Sequence, residues 1–200
     1  MTELTDSVTQ MMKEFEKLPG IGKKSAERIT YHILKSSHSE AIALADSIRT
    51  VKEKVRYCKI CYNLAEDEIC EICKDSRRDH STICIVEQPR DLISLEQTGR
   101  YQGVYHVLLG RISPGDHVSA DDLTIDALVR RVKSEKIQEL IMATNPTVEG
   151  DGTALTITNQ LIGVPVKITR LARGITSGGL LEFANKEMLS DAIIGRQLFE

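Results

Sequence analysis

The sequence predicts a multi-domain α+β protein: a helical N-terminal region, a four-cysteine metal-binding module, an α/β domain on a parallel sheet, and a C-terminal helix. Three observations carry this. Two amphipathic helical runs meet at Pro19-Gly20, and two Cys-x-x-Cys pairs stand eight residues apart. From Thr82 onward, short aliphatic runs alternate with helical patterns, as in sheets whose strands are joined by covering helices.

The elements follow in order. Val8, Met11, Met12, Phe15 and Leu18 recur at helical spacing, which predicts an amphipathic helix over residues 7–18 that stops at Pro19-Gly20. A second helix is expected over residues 23–36, with Ala26, Ile29 and Ile33 on one face. Ser39 is expected to cap a third, whose Leu44, Ile48, Val51 and Val55 face inward. A cysteine-rich segment spans residues 57–79. The runs 82–86, 104–108, 139–143 and 166–169 read as strands buried on both faces, because they are near-continuous in Val, Ile and Leu. Residues 89–97, 124–136 and 152–162 supply helices between them, 110–120 a loop, and 186–199 the last helix.

Composition narrows the function. A chain with 41% hydrophobic and 28% charged residues is globular and not disordered. No apolar run approaches the ~18 residues of a membrane span, and residues 1–10 lack a basic region followed by an apolar one. The expectation is a cytoplasmic protein whose five cysteines are not disulfides. A net charge of −3 counts against nucleic-acid binding, but its distribution does not. Between Lys17 and Lys59, ten Lys/Arg face four acids, a net of +6 that leaves −9 on the rest of the chain. Such segregation suggests one basic working surface on an acidic body.

Cys58-x-x-Cys61 and Cys70-x-x-Cys73 form the sharpest local signal. Two such knuckles bring four thiolates tetrahedrally onto one Zn²⁺, and four protein ligands leave no open position, so the site is structural. A redox role needs only one pair. Cys84, inside the first strand of the sheet, reads as a small core residue, and His80 is not needed as a ligand.

The string Leu18-Pro-Gly-Ile-Gly22 joins the first two helices and is followed by Lys23, Lys24 and Arg28, the pattern of a helix-hairpin-helix. Glycines admit a phosphate close to the backbone, and the amides of the second helix's N-terminus point at it. Lys24 and Arg28, four residues apart, share a face and neutralise neighbouring phosphates without reading bases. The bland alternative is a helical turn with solvated lysines; the full string with its adjacent cations outweighs it. A P-loop is excluded by the missing spacing and by the helix, not strand, before the glycines.

In open α/β sheets the carboxyl ends of the strands form the site rim. The first strand ends at Glu87 in Ile85-Val-Glu-Gln-Pro-Arg-Asp91, and the third in Ala143-Thr-Asn-Pro-Thr-Val-Glu-Gly150. Together with Leu109-Gly, Ile112-Ser-Pro114, Thr169-Arg-Leu-Ala-Arg-Gly174, Leu181-Glu182 and Gly195-Arg196, this order resembles the RecR family over essentially the whole chain.

That resemblance implies a helix-hairpin-helix DNA-binding region over 1–53, a four-cysteine zinc finger over 54–80, a Toprim domain over 81–176 and a C-terminal segment over 177–200. It further implies a ring-like homotetramer, DNA and RecO as partners, often RecF, and a role in loading RecA onto single-stranded DNA. Catalytic Toprim enzymes hold Mg²⁺ with a glutamate after the first strand and an Asp-x-Asp after the third; here those positions are Glu87, Asn145 and Thr147. The expectation is a non-catalytic protein whose Glu87, Asp91 and Glu149 form an acidic docking rim for a basic partner. Two rivals stand beside it: a Toprim nuclease or primase using Glu87 and Glu149, and a zinc-ribbon module without DNA contact. The stretch Gly179-Leu-Leu-Glu-Phe-Ala-Asn185 departs from the family's usual Gly-Asp-Leu-Glu-Tyr-Ala-Asp, and Thr176 replaces a common proline.

Overall fold

Three helices make up the first of two units, which divide after Val55 in the computed structural model; residues 5–175 and 178–196 are described. Helix α1 (Asp6–Glu16) packs against α2 (Lys23–Lys35), which buries Ala26 and Thr30. Between them Gly20 takes φ +79°, a backbone state that costs glycine nothing and most residues about 1–2 kcal/mol. Helix α3 (His38–Lys54) starts from a capping box at Ser37, not Ser39. The Ser37 hydroxyl accepts the Glu40 N–H at 3.3 Å, and the Glu40 carboxylate accepts the Ser37 N–H at 2.8 Å. Glu40 stands three residues after Ser37, the spacing the box requires, which decides the start. The inward face expected for α3 is corrected as well: Leu44, Ile48 and Val51 are 48%, 59% and 58% exposed. Periodicity aligned them on one stripe, but alignment alone does not bury a side chain, and these stay about half exposed.

In the second unit, β1 (Arg56–Tyr57) and β2 (Leu64–Ala65) pair antiparallel and α4 (Glu71–Lys74) follows, together carrying the four-cysteine module. Then come β3 (Asp79–Val86), α5 (Pro89–Glu96), β4 (Gly103–Val107), α6 (Ile125–Ser134), β5 (Glu139–Met142), α7 (Val148–Gln160) and β6 (Lys167–Arg170). The four long strands are all parallel in the order β4-β3-β5-β6. Side chains alternate across the sheet. Ile83 and Ile85 join Leu140, Ile125, Leu128 and Ile157 under α6 and α7, while Cys84 and Val86 join Tyr105, Val107 and Leu92 under α5.

Strand β3 begins three residues before its expected start, with an irregular register between Asp79 and Ile83. Helix α7 begins one turn earlier than expected, at Val148, because Thr147 caps it by accepting the Gly150 N–H at 3.1 Å. Gly150 and Gly152 in its first turn weaken the helical signal of the sequence there. Helix α8 (Lys186–Ile194) matches the start expected for the last helix but ends at its C-cap Gly195, whose N–H donates to the Asp191 carbonyl, short of the expected Phe199; the departure at Thr176 lies outside the described residues.

Candidate functional site

Cys58 and Cys61 sit in the turn after β1, Cys70 caps α4, and Cys73 lies inside it. Their sulfurs all lie within 4.8 Å of one another, and all four residues are buried. Tetrahedral ligation at a Zn–S length of about 2.3 Å places sulfurs about 3.8 Å apart, so this set fits zinc. The turn is built for it: the Cys58 carbonyl accepts the Tyr62 N–H at 3.0 Å, and Tyr62 takes φ +61°. The Cys70 N–H points at the Cys58 sulfur at 3.3 Å.

The thiols are electrostatically frustrated as a bare cluster. A hydrogen bond with Cys61 holds Cys70 well below the ordinary thiol range. The same bond to Cys70 pushes Cys61 up, contact with Cys61 pushes Cys73 up, and burial raises both further. A dication removes the conflict, because all four thiolates then neutralise it. His80 turns its Nε2 to the Asp75 carbonyl at 3.1 Å, away from the ligand role. Burial alone pushes Cys84 up to about 12, as suits a core thiol in β3.

The module is attached to the sheet. The Val107 N–H donates to the Cys61 carbonyl at 2.8 Å, and the Tyr62 ring meets His106 edge-on at 5.4 Å between centroids. Strand β4 is an edge strand, and the zinc turn covers part of that edge.

In the first unit, Gly22 precedes α2 with no side-chain cap, leaving the first-turn amides as unclaimed donors. Lys23, Lys24 and Arg28 are all exposed beside them, and among the described residues none of the three sits in an ion pair. The Ile21 N–H to Leu18 carbonyl bond, 3.1 Å, closes the hairpin turn. Open amides, the positive end of the helix and three cations suit a phosphate backbone.

At the sheet rim, Glu87 follows β3 and is only 2% exposed, so it does not offer the open carboxylate expected of a docking rim. Its Oε1 accepts the Asn145 backbone N–H at 2.8 Å, and its Oε2 accepts the Asn145 Nδ2 amide at 2.7 Å. Glu87 does not cap the next helix either. That role falls to Asp91, which accepts the Gln88 N–H at 2.9 Å and is half-buried, as is Glu149 in the first turn of α7. The sequence reading placed Asn145 only as a lost Asp-x-Asp position, and it missed Arg111. Asn145 is a donor to Glu87, and Arg111 brings Nη1 to 4.0 Å from its Oε2. Arg111 was hidden because its loop is placed by a distant bond, from the Ile112 N–H to the Thr153 hydroxyl at 2.9 Å.

Comparison with known proteins agrees with this layout. Family models match in order: a RecR helix-hairpin-helix over residues 8–52, a RecR four-cysteine zinc finger domain over 55–75, and a Toprim domain over 81–172. The recombination protein RecR of Rhodopirellula baltica is 57% identical over 191 residues, covering 96% of each chain. That of Rubrobacter xylanophilus is 47% identical over 98% of this chain and 99% of its own, and that of Dehalococcoides mccartyi 40% identical over 96% and 95%. With the zinc-finger match beside the buried sulfur cluster, the module is a zinc finger holding one structural zinc.

Proposed function

The chain belongs to the RecR family of recombination proteins, and from that premise we propose that it is a non-catalytic, ring-forming mediator of recombinational DNA repair. It binds single- and double-stranded DNA without sequence preference and acts with RecO, and with RecF, to help load RecA onto single-stranded DNA in the cytoplasm. The observation that carries the DNA-binding part is the uncapped N-terminus of α2 with Lys23, Lys24 and Arg28 exposed around it. Contacts there address phosphates, which explains indifference to sequence.

A few phosphate contacts per chain bind weakly, and a ring multiplies them through effective concentration. The half-exposed stripe of Leu44, Ile48 and Val51 on α3 supports assembly into a homotetramer, since further copies would remove it from water. The partner surface is the acidic rim: Asp91 and Glu149 present the charge, and Glu87 beneath them braces the strand end through Asn145. A basic face of RecO is its electrostatic complement.

The test is a DNA-binding titration by fluorescence anisotropy with and without RecO, alongside RecA loading on DNA coated by single-strand-binding protein. Sequence-independent binding with RecO-dependent loading is expected. Mg²⁺-dependent nicking or primer synthesis lost in Glu87→Gln would overturn the non-catalytic reading.

A further inference from the structure

The order β4-β3-β5-β6 makes the carboxyl ends of β3 and β5 the topological switch point of this sheet, because the chain leaves β3 toward one edge and β5 toward the other. Open α/β sheets bind their ligands in that crevice. Catalytic Toprim enzymes hold Mg²⁺ at these strand ends. The residues here do not fit such an ion. Mg²⁺ demands oxygen lone pairs in near-octahedral array at about 2.1 Å. Both oxygens of Glu87 instead face N–H donors of one residue, at 2.8 Å from the Asn145 backbone and 2.7 Å from its Nδ2. The Arg111 guanidinium stands 4.0 Å from Oε2, a positive charge that would repel a dication at this carboxylate. Thr147, the other Asp-x-Asp position, has its hydroxyl oxygen taken by the Gly150 N–H as the cap of α7.

We infer that Asn145 is a built-in substitute for the cation: its two N–H groups occupy the crevice between β3 and β5 and close this Toprim pocket to divalent metal. Asn145 lies at the surface over the buried Glu87, so it bridges the mouth of the crevice. The packing around it is specific, because a Cβ on Gly150 would overlap the Asn145 carbonyl and come within 3.0 Å of Glu87 Oε1. A single change, Asn145→Asp, removes the side-chain donor and sets a second carboxylate beside the first. Two like charges there repel each other until a cation neutralises them. The inference rests on the non-catalytic reading above and assigns it to one residue.

The experiment uses the zinc-loaded full chain and Mn²⁺ as probe, since a hard ion competes poorly for the thiolates. Mn²⁺ binding by electron paramagnetic resonance and thermal melting are read in the parent and in Asn145→Asp. The variant is expected to melt below the parent without Mn²⁺, to regain roughly 2–4 °C with it, and to bind Mn²⁺ at least about tenfold more tightly. The parent should show neither response. If the variant binds Mn²⁺ no better than the parent, the assignment of Asn145 fails while the mediator reading stands. Mn²⁺ bound by the parent, and lost in Glu87→Gln, overturns the inference; if that ion also drives DNA cleavage, the non-catalytic reading falls with it. Should Asn145→Asp not fold with or without Mn²⁺, Glu87→Gln in the parent decides. Its amide would face the Asn145 donors, so a lowered melting temperature with no Mn²⁺ response supports the inference, and unchanged melting refutes it.

Discussion

The Cys61 carbonyl accepts a 2.8 Å hydrogen bond from the Val107 N–H, so a turn that carries a zinc ligand is tied directly to the edge of the Toprim sheet. Metal binding and sheet integrity are thereby coupled through one backbone contact and the Tyr62–His106 ring pair beside it.

Removing zinc should therefore destabilise more than the finger. Structural zinc contributes on the order of 10 kcal/mol in small modules. Chelation, or Cys58→Ser or Cys70→Ser, should lower the melting temperature sharply and accelerate hydrogen exchange at the Val107 amide. A Val107 amide that stays as protected after zinc removal would show that the edge stands without the finger.

Charge reversal at Lys24 or Arg28 should weaken binding to all DNA sequences about equally, with Lys23 contributing less. Loss of one phosphate contact should also cut the salt dependence of binding by about one unit of slope. Unchanged affinity in both variants at matched low salt, with folding intact, would place the DNA interface elsewhere.

His106 predicts a pH effect of known sign. Its Nε2 lies 3.0 Å from the Thr124 hydroxyl oxygen and 3.2 Å from the Thr124 carbonyl. That hydroxyl already donates to the Val107 carbonyl at 2.7 Å, so the ring must carry its hydrogen on Nε2. Nδ1 is buried with no hydrogen-bond partner among the described residues. Burial, and then the nearby Arg131 guanidinium, push this histidine down to about 4. Unfolded, it titrates near 6.5 and binds the proton more readily. The stability it confers is thus full above about pH 6.5 and is lost as the pH falls towards 4, by up to about 3 kcal/mol. Against the parent, His106→Gln should flatten the acid limb of the stability curve; parallel curves between pH 4 and 6.5 would refute the assignment.

Gly150→Ala should destabilise by roughly 1–3 kcal/mol, since its methyl would collide with the Asn145 carbonyl backbone. Gly152→Ala, in the same helix, has nothing within 4 Å of its new methyl and should be neutral or stabilising by up to about 1 kcal/mol. Urea melts of the two variants check this pair, and equal stabilities would mean that the strand end yields at no cost.

At the rim, Glu149→Gln should impair RecO association and leave DNA binding by the isolated protein intact. Asp91→Asn should do the same and also lose about 1 kcal/mol, because Asp91 accepts the Gln88 N–H at the start of α5. RecO affinity unaltered in both would remove the rim from the partner surface.

The sequence by itself determined the zinc site, the hairpin and the succession of strands along the chain, while their order within the sheet came from the tertiary structure. Those features are local: Cys58, Cys61, Cys70 and Cys73 converge through two short knuckles, and Leu18-Pro-Gly-Ile-Gly22 with Lys23 and Lys24 is one contiguous turn. Aliphatic runs such as 82–86 likewise reveal buried parallel strands without knowledge of their neighbours. Only the tertiary structure decided what each side chain faces. Periodicity placed Leu44, Ile48 and Val51 on one stripe, yet all three remain about half exposed. Glu87 looked like an open acid at a strand end, but Asn145, 58 residues further on, takes both its oxygens. Arg111 reached the same carboxylate through a loop held by Thr153. Hydrogen bonds between positions so far apart leave no spacing in the chain to read, because they are set by which strand ends the sheet brings together.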